Sequence, residues 1–156
     1  MAKISQIMTT DVPKIDKNAD ISAAAKLIAG KPYGCVVVVD GTKPIGIITE
    51  SDILKNLVQN KGKISADKIM SSPITTLSSG TKLEKAGKIT DTKHCRRYPI
   101  VVNGNLVGLV TENSIVQAIN DNIRFHRNLQ NAIVVIFVVF EFFVFVLYKQ
   151  LINFFA

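Results

Sequence analysis

The feature that most restricts the fold of this chain is an internal repeat at an offset of 62 residues. The octapeptide GIITESDI at residues 46–53 returns as GLVTENSI at residues 108–115. The same offset aligns residues 4–60 with residues 66–122 without a gap, and apolar positions stay apolar, as in Val12 and Ile74 or Ile45 and Val107. A fixed offset that keeps the hydrophobic class of each position indicates that one supersecondary unit has been duplicated.

Each copy of the unit is predicted to contain the same elements in the order β-α-β-β-α. A short extended segment, 12–15 in the first copy and 74–77 in the second, precedes a helix, whose apolar residues in the first copy run from Ile21 to Ile28. The apolar run CVVVVD is typical of a buried strand, and DGTKP, IGIIT and ESDILKNLV follow it as turn, strand and helix. In the second copy, YPIVVNGNLVGLVT contains an Asn-Gly turn between two strands, and VQNKGKISAD links the two copies.

The charge of the chain favours anionic partners. Residues 1–130 carry the whole net charge of +7, which suits nucleotides, phospholipid headgroups or nucleic acid. Nucleic acid is the least favoured of the three, because no basic cluster is interleaved with aromatic residues. Cys35 and Cys95 show neither CxxC nor metal-ligand spacing, so we expect a reducing cytosol and buried packing thiols. The opening MAKISQIM has no apolar segment, so we expect no secretory leader.

The sequence does not show the residue patterns of common catalytic sites. It contains no Ser/His/Asp or Cys/His constellation, no phosphate loop of the GxxxxGK type and no metal-ligand set. The two histidines, His94 and His126, are far apart in sequence. We therefore expect no enzymatic activity, no required cofactor and no bound metal.

Together these features resemble the CBS domain pair, or Bateman module. The resemblance rests on the unit openings ISQIMTTDVPKI and ADKIMSSPITTL and on the closing segments VVVVDGTKPIGIITESDIL and YPIVVNGNLVGLVTENSIV, and it covers residues 1–122. It implies a mixed α/β (α+β) fold in which two β-α-β-β-α repeats, at 1–62 and 63–124, are related by pseudo-twofold symmetry. Two clefts are expected between their sheets, and residues 125–156 are expected to form a linker and a hydrophobic helix.

The resemblance also implies a regulatory role rather than a catalytic one. Members of the family bind ligands that contain adenine, so AMP, ADP, ATP or S-adenosylmethionine is the expected ligand. The family implies a homodimer as well. The regulated partner protein is not indicated by the sequence.

Thr49 and Asp52 are the first candidate ligand-binding residues. They lie where a strand passes into a helix, at which free backbone N–H groups and the helix dipole favour anions, and Gly46 is expected to let the backbone approach a ligand. Within the family, a carboxylate at this position accepts the two ribose hydroxyls. The same Thr-x-x-Asp spacing also describes a simple helix cap, and both roles are compatible.

Arg96 and Arg97 are the second pair of candidates. In the family, basic residues before the second repeat's hairpin meet the phosphate of a ligand whose ribose is held by the other repeat. The segment KHCRRYPIVV places Arg96 and Arg97 there, with His94 nearby, and guanidinium groups bind phosphate in a bidentate manner. The alternative is that Arg96 and Arg97 are a solvated surface pair.

The second cleft is predicted to lack the residues that bind a ligand in the first. Its helix start carries Thr111 and Ser114, so the carboxylate is missing, and the positions equivalent to the two arginines are Gly34 and Cys35. The loss of anion and cations together predicts one working cleft and one vestigial cleft. In the working cleft, Ile74 and Thr75 match family positions that line the adenine pocket, although an apolar residue there is equally consistent with core packing.

The C-terminal segment is predicted to cross a membrane. Residues 132–148 are apolar at 16 of 17 positions, and a helix over 132–156 would be about 37 Å long, more than the roughly 30 Å of a hydrocarbon core. Arg124 and Arg127 before it and Lys149 after it place the repeats in the cytoplasm. Glu141, near its middle, is expected to be protonated or paired with a neighbouring helix. The alternative buries the segment between protomers of an oligomer.

Two functions follow from these features. The first is a membrane-anchored adenine-nucleotide sensor that passes ligand occupancy to a partner. The second is a ligand-independent scaffold that dimerises at the bilayer and organises a transporter or an enzyme. Convergence of Asp52, Arg96 and Arg97 on one cleft would favour the sensor.

Overall fold

The chain has the mixed α+β fold expected from the repeat. The structure, a computed structural model, describes residues 2–59, 64–93 and 95–155. After a 3-10 helix at Ile4–Gln6, the first repeat consists of β1 (Lys14–Asp16), α1 (Ile21–Ala29), β2 (Cys35–Asp40), β3 (Lys43–Thr49) and α2 (Glu50–Gln59). The second consists of α3 (Ala66–Ile69), β4 (Leu77–Ser78), α4 (Leu83–Lys93), β5 (Arg97–Val102), β6 (Asn105–Thr111) and α5 (Glu112–Phe155).

The two repeats have the same sheet topology and the same register. Each forms a three-stranded sheet in which the first strand is parallel to the second and the second is antiparallel to the third. Ile15 pairs with Val38, and Leu77 pairs with Ile100, so the pairs differ by the repeat offset. The hairpins shift register at Val38/Val39 and at Ile100/Val101. The duplication therefore preserved the irregularity of the hairpin as well as its length.

Strand β2 lies between two apolar layers. Val36 and Val38 face one side and pack with a cluster that comprises Ile15, Ala24, Ile28, Ile48 and Ile53 of the first repeat and Ala66 of the second. Cys35, Val37 and Val39 face the other side and pack with Ile47 and with Leu109 of the second repeat. Because a strand alternates its side chains between faces, burial on both sides requires the uninterrupted apolar run seen in the sequence.

The opening segment of each repeat pairs with the hairpin of the other repeat. Ser71 and Ile47 exchange two backbone hydrogen bonds, with N···O distances of 2.8 and 3.2 Å, and Thr9 and Leu109 exchange two of 2.9 Å. These residues again differ by the repeat offset. Each opening segment thereby joins its own repeat to the other, which explains why two units share one core.

The expected role of Gly46 is not what the structure shows. A Cβ at Gly46 would collide with the side chain of Met70, whose Cγ would lie 2.7 Å away, and a Cβ at Gly108 would lie 2.9 Å from Sδ of Met8. The glycines make room for methionines from the exchanged opening segments. The prediction that Gly46 brings the backbone close to a ligand is therefore wrong, because a protein side chain fills that space.

Helix α5 continues beyond the repeats without a break from Glu112 to Phe155. Residues 1–118 and residues 119–156 form separate compact units. In the second unit the apolar side chains are exposed, as in Phe142 at 67% and Ile136 at 68%. By length and composition, Glu112–Gln150 could cross a membrane.

Candidate functional site

The first repeat presents a capped helix start at Thr49 and Asp52. Strand β3 ends at Thr49 and α2 begins at Glu50. One carboxylate oxygen of Asp52, Oδ2, accepts hydrogen bonds from the backbone N–H of Thr49 at 2.9 Å and from its hydroxyl at 2.7 Å. Asp52 is half-buried. The helix cap expected from the spacing is therefore present, and a ligand hydroxyl would add to these bonds at the same carboxyl group or would replace one of them.

The second repeat has the same helix start without the carboxylate. Thr111 Oγ1 accepts from the backbone N–H of Ser114 at 3.1 Å and lies 2.7 Å from Ser114 Oγ. Here the threonine caps the helix, whereas in the first repeat the aspartate does so. The substitution of serine for aspartate keeps the local fold and removes the negative charge.

Arg97 reaches from the second repeat to the first. Its Nε donates a hydrogen bond to the carbonyl oxygen of Tyr33 at 2.7 Å. Both Arg97 and Glu50 lie close to Gly34. A Cβ atom added at Gly34 would lie 3.0 Å from Nη2 of Arg97 and 3.4 Å from Oε1 of Glu50. The guanidinium group therefore lies beside the loop before β2 and close to the first residue of α2, which Thr49 and Asp52 cap. Arg97 thus contacts the first repeat at Tyr33 and Gly34, and its role in binding a phosphate stays a prediction.

Arg96 is placed differently from Arg97. Its side chain is exposed, and its carbonyl oxygen accepts the backbone N–H of Glu112 at 3.0 Å. Its backbone thus holds the start of α5, while no described contact brings its guanidinium to Thr49 or Asp52. His94, which was expected nearby, lies outside the residues that the structure describes.

Ile74 lies against the apolar layer between the repeats. It is partly buried and packs against the cluster that contains Cys35 and Val37, as does Tyr33. Cys35 pairs in register with Thr49 across the β2–β3 hairpin. Ile74 is therefore part of the layer between the repeats. Thr75, next to it, is partly buried.

The two cysteines differ in their surroundings. Cys35 is fully buried, and this burial raises the pKa of its thiol to about 11, although the charge of Arg97 acts in the opposite direction. Cys95 is partly exposed and its Sγ lies 3.3 Å from the carbonyl oxygen of Lys93. The prediction of two buried thiols is confirmed for Cys35 and is wrong for Cys95, which precedes the strand rather than lying in it.

Tyr33 and Glu50 lie beside Arg97, and the sequence alone does not single them out as candidates. Tyr33 accepts from Arg97 through its carbonyl oxygen, and its hydroxyl donates to Thr9 Oγ1 at 3.0 Å. Gly34, with a φ of +57°, turns the chain between Tyr33 and β2. In the sequence, only the glycine directly before the strand points to this turn. The hydrogen bond from Arg97 uses the backbone carbonyl of Tyr33, which every residue type has, so the sequence cannot indicate it.

In the described part of the chain, no group of three or more His, Cys, Asp or Glu residues is arranged so that it could hold a metal ion. Within that part, the hydroxyl of Tyr98 is the one buried side-chain polar atom that has no hydrogen-bond partner. Tyr98 takes the place that Val36 has in the first repeat, inside the core rather than at a helix start. It is therefore no part of the candidate site.

A profile of the CBS domain matches residues 4–59 and 66–121. Among curated relatives, a 17.7 kDa protein of Acidianus ambivalens is 32% identical over 121 residues, which cover 76% of this chain and 74% of the relative. The CBS domain-containing protein YhcV of Bacillus subtilis is 31% identical over 70% of this chain and 80% of its own length. The protein MJ1404 of Methanocaldococcus jannaschii is 30% identical over 76% of this chain, but this chain spans only 32% of its length.

Solved structures share the fold of the repeats. The CBS domain pair of protein MJ0100, in complex with 5′-methylthioadenosine and S-adenosyl-L-methionine, superposes with a TM-score of 0.69 at 25% identity, covering 78% of this chain and 98% of its own. CBSX2 in complex with AMP superposes with a TM-score of 0.66 at 21% identity, over 78% of this chain and 98% of its own. The predicted pair of repeats is confirmed by these matches.

Proposed function

Because this chain belongs to the CBS domain family, we propose that its two repeats form a regulatory module that binds one adenosyl ligand per chain. The repeats are assigned to residues 1–62 and 63–124. The related domain pair of MJ0100 was solved with 5′-methylthioadenosine and S-adenosyl-L-methionine, which supports an adenosyl ligand for this chain. AMP, ADP and ATP belong to the same ligand class.

The observation that carries this proposal is the position of Arg97. A cation from the second repeat lies beside Gly34 and Glu50 of the first repeat, next to the helix start that holds Thr49 and Asp52. Opposite charges supplied by two repeats suit a ligand that has a hydroxyl-rich sugar at one end and an anionic group at the other.

Each candidate residue has a proposed role. Thr49 and Asp52 bind the ribose hydroxyls, Arg97 binds the phosphate or carboxylate of the ligand, and Ile74 and Thr75 contact the adenine. Arg96 contributes at longer range through its charge, since its side chain is exposed. The second helix start, with Ser114 in place of an aspartate, binds no ligand.

Helix α5 is the proposed output element. Arg97 pairs in register with Thr111, and the carbonyl oxygen of Arg96 accepts the N–H of Glu112, the first residue of α5. A ligand that draws the side chain of Arg97 away from Tyr33 would act on the strand that is bonded to this helix. Occupancy could then reach a partner protein that contacts α5.

One observation favours the second candidate function, a ligand-independent dimerising scaffold. The carboxylate of Asp52 and the Nε of Arg97 already have hydrogen-bond partners within the chain. Such contacts would also be found in a module whose polar residues only hold the two repeats together. In that case the protein would organise a membrane transporter or an enzyme without responding to a ligand.

Calorimetric titration of the purified chain with AMP, ATP and S-adenosylmethionine separates the two functions. The sensor predicts saturable heat with at least one of the three ligands, and a higher midpoint of thermal unfolding in its presence. The scaffold predicts neither effect with any of them. Adenosine serves as a control that lacks the anionic group.

We also propose that residues 132–156 anchor the module to a membrane. The eight consecutive apolar side chains from Ile133 to Phe140 are exposed on all sides of the helix, as are those that follow Glu141. Water solvates such a surface poorly. The anchored chain should fractionate with membranes and remain there after extraction with alkaline carbonate. A chain that purifies as an oligomer without detergent would instead have its helix buried between protomers.

A further inference from the structure

Within residues 132–148 of α5, the side chains that can form hydrogen bonds are those of Glu141 and Tyr148, which lie on one face of the helix, and Gln130 lies on the same face just before this segment. Gln130, Glu141 and Tyr148 follow one another at intervals of 11 and 7 residues, which are close to three and two turns of a helix. They therefore lie on the same side of α5, and we call this line of residues the polar seam. Residues on the opposite side, such as Val139 and Phe143, are apolar.

The polar seam is unpartnered in the described part of the chain. Glu141 is exposed and takes part in no side-chain hydrogen bond or ion pair among the described residues, and Tyr148 is 62% exposed. In a hydrocarbon environment, lipid cannot satisfy a carboxyl group, and the cost falls when another protein group does so. The seam thus requires a partner with donors and acceptors at the same intervals along its helix.

We propose that this partner is the polar seam of a second copy of the chain, so that α5 pairs with α5 inside the membrane. The proposal rests on the membrane anchoring put forward above. A neutral carboxyl, a primary amide and a phenol each carry both a donor and an acceptor, so each can bond to an identical group. Two parallel helices related by a twofold axis place Glu141 beside Glu141 at the same depth, without any complementary cation.

Cysteine cross-linking in the full chain tests which side of α5 faces the second copy. Val134→Cys lies on the seam side, whereas Val135→Cys lies one residue along the helix, turned about 100° away and at nearly the same depth. Both are made with Cys95→Ser, which removes the partly exposed native thiol, and are reconstituted into phospholipid vesicles and oxidised with copper-phenanthroline. The proposal predicts a disulfide-linked dimer that forms roughly tenfold faster from Val134→Cys. Equal rates, or faster linkage through Val135→Cys, would overturn it.

A second set of variants tests the hydrogen bond itself. In the Val134→Cys chain, Glu141→Gln keeps a donor and an acceptor and should leave the rate of linkage within about twofold, whereas Glu141→Leu should lower it roughly tenfold. Phe143→Leu, on the opposite side, should leave it unchanged. If Glu141→Leu leaves the rate of disulfide formation unchanged, the carboxyl group is not part of the interface and the proposed pairing is wrong.

Membrane fractionation of the same variants separates this proposal from the anchoring proposal. A chain that stays in the membrane fraction but shows no preference for the seam side contradicts the seam alone. A chain that leaves the membrane fraction contradicts both.

Discussion

At the scale of single residues, the difference between Asp52 and Ser114 has the largest consequence for binding. Asp52→Ala should lower the affinity for an adenosyl ligand roughly 10- to 100-fold, because a hydrogen bond to a charged group contributes about 1.5–3 kcal/mol. It should also lower the stability of the repeat by about 1 kcal/mol, since Asp52 caps α2. Calorimetric titration measures the affinity, and urea unfolding measures the stability.

Ser114→Ala is the matched control for this change. Ser114 occupies the equivalent position at the start of α5, and Thr111 caps that helix through its own hydroxyl. The substitution should leave ligand affinity within about twofold. Equal losses of affinity in the two variants would show that both helix starts bind ligand.

Arg97 and Arg96 should differ in their effect on phosphate recognition. Arg97→Ala should lower the affinity for AMP about tenfold more than the affinity for adenosine, because Arg97 lies beside the first repeat. Arg96→Ala should lower the affinity for AMP less, since the side chain of Arg96 is exposed. The affinity for AMP should also fall as salt is added. If Arg97→Ala weakens adenosine and AMP equally, the guanidinium group serves only to hold Tyr33.

The thiol of Cys35 should make stability depend on alkaline pH. Its pKa is raised to about 11 by burial, from an ordinary value of 9.0, so the folded state keeps a proton that the unfolded chain releases. The stabilisation is fully present below pH 9 and is lost as pH rises toward 11, by about 2–3 kcal/mol in all. Urea unfolding between pH 8 and about 11 should show this decline, and Cys35→Ala should remove that part of the slope. An identical slope in the variant would contradict the assignment.

At the scale of elements, the exchanged opening segments depend on two glycines. Gly46→Ala should lower the free energy of unfolding by roughly 1–3 kcal/mol, because the new Cβ would collide with Met70. Met70→Ala in the same chain should reduce that additional cost, by making room for the Cβ. Gly80→Ala is the control, since its Cβ would meet only Ser78 Oγ at 3.9 Å. If Gly46→Ala lowers the free energy of unfolding no more than Gly80→Ala does, the side chain of Met70 can move aside without strain.

Most elements could be predicted because each one occurs twice in the sequence, once in each copy of the repeat. The predicted strand at CVVVVD is β2, and the predicted helix after Thr49 is α2 at Glu50–Gln59. The predicted first strands, 12–15 and 74–77, begin two or three residues too early, since β1 is Lys14–Asp16 and β4 is Leu77–Ser78. A strand of two or three residues leaves too little hydrophobic alternation to fix its ends. The short helix at Ala66–Ile69 begins inside the predicted linker and is not predicted, because four residues are too few to show helical periodicity.

At the scale of the whole molecule, the sequence predicts candidate ligand-binding residues but not the hydrogen bonds that these residues make within the chain. The repeat alignment and the family resemblance predict that Thr49 and Asp52 lie at a helix start of the first repeat and that Arg97 reaches them from the second repeat. The carbonyl of Tyr33 and the side chain of Met70 were not predicted, because both contacts join residues that are distant in sequence. Their positions follow from tertiary packing rather than from local pattern.

The asymmetry between the two repeats is the central claim, and the number of ligands bound per chain tests it most directly. Calorimetric titration of the full chain with S-adenosylmethionine and with AMP gives this number together with the affinity. One intact helix start out of two predicts one site per chain for the ligand that binds, with no second binding phase at higher concentration. Two sites of equal affinity would contradict the account, as would the absence of binding by every adenosyl ligand tested.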